Sequence, residues 1–190
     1  MRLGLGSQNE AGIAYSGQRA RLDGRHALGL GHWAVSFGLG AILGFAHPSD
    51  GSFGGNSTFG STEVLPGLDT SGVRSFGVDV PVLVGWRSSA DVARIWVGLK
   101  PTYEHGYGNI RLTTQTSATN LDFASDALTV TGIAGFAVGV RPLFLALEMD
   151  FGDTRAHGKL LNSTGTTGSN SASVAAYSFT PAAAIIWEMR

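Results

Sequence analysis

The chain has 190 residues, no cysteine, 28 glycines and only 14% charged residues, with a formal net charge of -1. That length sets one domain, and the missing thiols exclude a disulfide framework or a thiolate metal site. The near-zero charge gives no global field to recruit nucleic acid, so no nucleic-acid partner is expected.

The opening, MRLGLGSQNEAG, has one Arg and a very short apolar run, so it does not read as a signal peptide. An exported form would need one, and Met1 need not be the native start. Residues 10–15 form the first predicted strand, with Ala11, Ile13 and Tyr15 on its apolar side. A tight turn at 16–18 follows. Over 19–30, Arg19, Arg21, Asp23 and Arg25 share one side, and Ala20, Leu22, His26, Leu28 and Leu30 the other. This period of two is that of a strand.

After a turn at Gly31-His32, residues 33–45 set Trp33, Val35, Phe37, Leu39, Ala41, Leu43 and Phe45 against small residues. A long Gly/Ser/Thr/Asn stretch, 47–72, reads as a loop. Residues 73–86 repeat the design, with Phe76 and Trp86 ten positions apart on the apolar side and Asp79 on the other. A polar turn at 87–91 leads to 94–107, where Ile95, Val97, Leu99, Tyr103, His105 and Tyr107 oppose Arg94, Trp96, Lys100 and Glu104. A second loop is expected over 112–126. Strands over 128–141 and 143–152 meet at Arg141-Pro142, and the latter carries Glu148 and Asp150 on its polar side. A third loop is expected over 153–173.

The last strand, 173–190, places Tyr177, Phe179, Ile185 and Trp187 on one side, with Ile186 the one large apolar residue opposite. Tyr177 and Trp187 are ten positions apart, roughly 33 Å along a strand. Tilted, that span is about 25 Å, the height of the apolar band of an outer-membrane barrel. No run of 18 clean apolar residues exists; the nearest, 131–149, is interrupted by Arg141-Pro142 and three glycines.

These readings predict an all-β, eight-stranded antiparallel up-and-down transmembrane β-barrel, a single domain over 1–190 with long outer loops near 47–72, 112–126 and 153–173. Short and long connections alternate, as in such barrels. Apolar side chains point to lipid, with Trp33, Phe45, Phe76, Trp86, Tyr103, Tyr177 and Trp187 as aromatic girdles. Small and ionic residues point inward. Enclosed charges must be paired, and Arg21, Asp23, Arg25, Asp79, Lys100, Glu104, Glu148 and Asp150 are read as one such network. Glu148 and Asp150 are expected to pair with Arg19, Arg21 and Arg25, and Glu188 is placed on the same side.

By strand number, girdle spacing and loop alternation, the chain resembles the small eight-stranded outer-membrane barrels of the OmpA, OmpX and OmpW type. The resemblance covers nearly the whole chain, although the last residues, Trp187-Glu188-Met189-Arg190, depart from the usual terminal aromatic. It implies residence in the bacterial outer membrane of a Gram-negative cell envelope. It implies contact with outer-membrane lipid and, through the external loops, with other envelope proteins.

The chemistry is sparse. Glu104-His105 with Tyr107 superficially resembles a lipid A deacylase, but Tyr107 stands where that family has its Ser. No metal motif appears and no cofactor is expected. The chain therefore reads as a non-enzymatic structural or interaction protein with a plugged lumen. The alternative is a narrow channel or a lateral conduit for small or hydrophobic solutes, and a lipid-modifying enzyme comes third. Pro81, Pro101 and Pro181 sit inside predicted strands, where each removes a ladder donor. A local bulge, or a weakened seam between 73–86 and 94–107, is the expected consequence.

Overall fold

The structure is a computed structural model and describes residues 2–4, 8–15, 19–45, 68–69, 72–113, 118–162 and 170–187. It is all-β, with no helix among these residues. The strands are β1 (Arg2–Gly4), β2 (Asn9–Tyr15), β3 (Arg19–Leu30), β4 (Trp33–Phe45), β5 (Leu68–Asp69) and β6 (Arg74–Asp79). Then come β7 (Val82–Arg87), β8 (Ala93–Thr113), β9 (Ala118–Val140), β10 (Leu143–Asn162) and β11 (Asn170–Trp187). They form one antiparallel, up-and-down sheet in the order β1-β2-β3-β4-β6-β8-β9-β10-β11, with β7 continuing β6 between β4 and β8. Counting β6 and β7 together, β2 to β11 supply eight long strands, and β5 pairs with β8 beyond the end of β6.

The period of two sorts the side chains cleanly onto two faces. On one face the large apolar residues are exposed: Leu39 is 64% exposed, Leu99 57%, Leu145 53% and Trp187 63%. On the other, Asp23 and Asp79 are buried at 5% and 2%. A water-soluble domain hides the first kind of residue and displays the second. Here the arrangement is inverted.

The charged face also holds a small apolar cluster at its turn end. Ala137, Phe144 and Ala146 are buried there, with Trp96 and Ile186 packed against them. Ile186 thus has an apolar neighbourhood despite facing the polar side. The Arg94 guanidinium lies 4.2 Å from the centroid of the Phe144 ring, a cation–π contact.

The structure alters the expected loops. Thr113 pairs with Ala118 and Leu160 with Asn170, so much of 112–126 and 153–173 is paired strand. The composition of those stretches, rich in Ser, Thr, Asn and Gly, masked a ladder whose register never slips. Of the 47–72 loop, Leu68 and Asp69 pair with Leu112 and Arg111. Most of that loop, the turn at 16–18 and Glu188 lie outside the described residues.

The prolines are accommodated without a bulge. Arg74 pairs with Tyr107 before the break at Pro81, and Val82 with Leu99 after it; both pairings keep one register against β8. Val80 N–H donates to the Pro101 carbonyl at 3.0 Å and Gly38 N–H to the Pro81 carbonyl at 2.9 Å. No residue is inserted, so no bulge forms there. Pro181 sits in β11, which pairs with β10 alone among the described residues.

Candidate functional site: ion-paired side chains on a glycine-notched face

The charged side chains of the polar face are placed by cross-strand register. Asp23 stands between Gly12 and Gly40, and Gly40 in turn faces Asp79. Arg25 faces Gly38, Glu104 faces Gly77, and Gly135 lies between Trp96 and Glu148. Each glycine leaves room for the side chain beside it to lie flat across the strand. A Cβ on Gly40 would sit 2.6 Å from Asp79 Oδ1, and one on Gly12 would sit 2.7 Å from Asp23 Oδ1. A Cβ on Gly135 would run into the Trp96 indole. Glycine inside a strand weakens it locally, and close approach of a neighbour is the usual reason it is kept.

The notches let charges meet across an intervening strand. Arg21 on β3 crosses β4 to Asp79 on β6, donating from Nε to Oδ2 at 2.7 Å and from Nη2 to Oδ1 at 2.8 Å. This bidentate fork is the strongest geometry an ion pair offers. Arg21 Nη1 also donates to Asp23 Oδ1 at 2.8 Å, and Arg25 Nε lies 3.9 Å from Asp23 Oδ2. Arg19 reaches further, from β3 to Glu104 on β8.

A second group lies on β8 and β10. Trp96 Nε1 donates to Glu148 Oε2 at 2.7 Å, and Lys100 Nζ lies 3.8 Å from Asp150 Oδ2. The eight residues expected to form one network therefore divide: Arg21, Asp23, Arg25 and Asp79 meet on β3 and β6, Glu104 on β8 is held by Arg19, and Lys100, Glu148 and Asp150 lie on β8 and β10. The expected pairing of Glu148 and Asp150 with Arg19, Arg21 and Arg25 is not found. Those arginines meet nearer carboxylates on β3, β6 and β8, and Trp96 and Lys100 reach β10 instead.

Two parts of the charged arrangement were not anticipated. Trp96 supplies an indole N–H to a carboxylate, a role that its place opposite Ile95 and Val97 could have suggested, since a Trp on a polar face needs an acceptor. Asp91, in the turn before β8, accepts from Arg94 Nε at 3.0 Å and from Arg141 Nη2 at 2.7 Å. The hydrogen bond from Arg94, reinforced by Arg141, holds the Asp91 carboxyl below its ordinary range.

The residues expected as girdles lie on the apolar face. Trp33, Phe45, Phe76, Tyr103, Tyr177 and Trp187 are exposed and Trp86 half-buried beside Trp33, its register partner. Above Tyr103, Leu128 and Phe151 the face turns polar. His105, Asp126, His157 and Ser173 occupy one row across β8 to β11. Asp126 Oδ1 accepts from Tyr103 Oη at 2.5 Å and lies 2.9 Å from His105 Nδ1, while His157 Nδ1 lies 3.0 Å from Ser173 Oγ.

Neither a protein-family model, nor a curated protein, nor a solved structure matches this chain.

Proposed function

We propose that the sheet closes into an eight-stranded barrel seated in the bacterial outer membrane, with its charged face as an occluded lumen. In this reading the protein is a non-enzymatic structural or interaction component of the cell envelope. Its partners are outer-membrane lipid and other envelope proteins met through the long-strand end and its loops. The observation that carries the reading is the inversion of the two faces: carboxylates 2–5% exposed on one side, and Leu, Val, Phe and Trp left open on the other. In water, exposure of so much contiguous apolar surface is costly; against hydrocarbon it is favourable. Closure follows from the same setting, because an unpaired strand edge cannot be hydrated within a bilayer.

Occlusion is supported by how the inward side chains are used. The Arg21–Asp79 fork, the Lys100–Asp150 pair and the Phe144–Trp96–Ile186 cluster occupy the space that a small barrel encloses. Conductance of the refolded protein in planar bilayers is the test. A plugged lumen predicts no steady current, and sustained open-channel current would favour the narrow-channel alternative.

A further inference from the structure

The row in which the apolar face turns polar holds one carboxylate between two imidazoles. His105, Asp126, His157 and Ser173 are successive register partners from β8 to β11. Below them on the same face stand Tyr103, Leu128, Val130, Phe151 and Phe179, all exposed. Asp126 Oδ1 lies 2.9 Å from His105 Nδ1 and accepts from Tyr103 Oη at 2.5 Å. A carboxylate only accepts, so His105 Nδ1 carries the hydrogen in this contact. On the far side, His157 Nδ1 lies 3.0 Å from Ser173 Oγ. The hydroxyl can donate or accept, so that contact holds whichever way the ring is protonated.

Both contacts use Nδ1. Each ring can therefore take a proton on Nε2 and keep its partner. The surroundings of the two rings are defined strand by strand. His105 packs against Phe76 on β6 and Tyr107 on its own strand, and faces Asp126 on β9. Arg74 on β6 is the register partner of Tyr107, one row above. His157 faces Asp126 on β9 and Ser173 on β11, with Arg155 and Lys159 two residues away on β10. Arg155 Nε lies 3.8 Å from Asp153 Oδ2. Protonating both imidazoles adds two positive charges beside a carboxylate that Tyr103 and His105 already engage.

We propose that this row contacts lipid headgroups and selects phosphate-bearing anionic ones once His105 and His157 are protonated. The inference rests on the seating of the apolar face in lipid, which sets the row at headgroup level. Continuity with that face favours a lipid over free phosphate as the partner. Basic groups close to a membrane surface each add to its attraction for anionic lipid. Imidazole is the side chain that gains such a charge between mildly alkaline and mildly acidic pH.

The test compares spin-labelled phosphatidylglycerol with spin-labelled phosphatidylcholine in bilayers holding the reconstituted protein. Electron spin resonance reads the motionally restricted fraction of each lipid. From about pH 8 to about pH 5.5, the preference for phosphatidylglycerol should rise by about threefold or more. The phosphodiester keeps its charge throughout, so the change belongs to the protein. In the double variant His105→Gln/His157→Gln the preference should stay at its pH 8 level, with an unchanged far-UV circular dichroism spectrum. A restricted fraction whose lipid preference ignores pH, or follows pH equally in the double variant, overturns the proposal and leaves the membrane reading standing. If neither lipid shows a restricted fraction, the apolar face does not meet lipid and both fall.

Discussion

Asp79 is the residue on which the charged face most depends. It is 2% exposed and takes both arms of the Arg21 fork. Replacing it with Ala leaves a guanidinium enclosed without its main partner. Asp79→Ala should therefore destabilise by about 3–5 kcal/mol in urea unfolding. Glu148→Ala should cost less, about 1–3 kcal/mol, because its partner is a neutral indole N–H. Equal effects would mean that the fork is not what holds this face. The glycines make a complementary prediction. Gly135→Val pushes against the Trp96 ring, so it should destabilise by about 1–3 kcal/mol through overpacking and shift Trp96 fluorescence to the red. Which acid meets which base was not legible in the chain. Pairing depends on strands two or three apart, and only the register shows that a glycine stands beside Asp23, Asp79, Arg25, Glu104 and Glu148.

At the scale of the element, alternation made the strands legible because both faces are strongly biased. Trp33 to Phe45 and Phe76 to Trp86 were placed by pattern alone. The upper halves of β8 to β11 were not, since Thr, Ser, Asn and Asp there look the same in a loop as in a solvated strand. Pro81 and Pro101 misled for a related reason: a lost donor suggests a defect, but the flanking register absorbs it. The apolar side of β10 offers a direct check. Leu147 lies midway between Leu143 and Phe151 on that side, so Leu147→Arg should cost about 2–4 kcal/mol for a protein unfolded from lipid. Near-zero cost would place this face in water. The turn before β8 responds to acid. Its Asp91 carboxyl has a pKa below the unfolded value because Arg94 and Arg141 favour the charged form. Its contribution is therefore complete above the ordinary carboxylate range of about 4 and is lost as pH falls through the depressed native value. Acid titration should loosen this turn, seen as faster amide exchange at Val92 and Ala93, and Asp91→Asn should remove that pH dependence.

For the whole molecule, the sorting of residues onto two faces carries the proposed function. The sequence carried most of that sorting: aromatic residues at both ends of the apolar side, mainly small and ionic residues opposite, with Trp96, Phe144 and Ile186 as the apolar exceptions. It did not carry which charges meet, because that needs the register of strands far apart in the chain. The tryptophans divide in the same way. Trp33 and Trp187 stand on the exposed apolar face at 55% and 63%, while Trp96 lies on the opposite face and donates to Glu148. Single-tryptophan variants reconstituted in bilayers whose lipid tails carry bromine therefore give the most direct test. Trp33 and Trp187 should be strongly quenched and Trp96 largely spared; a chain that stays dissolved without detergent, or whose Trp96 is quenched as strongly as Trp187, would contradict the assignment of the apolar face to lipid.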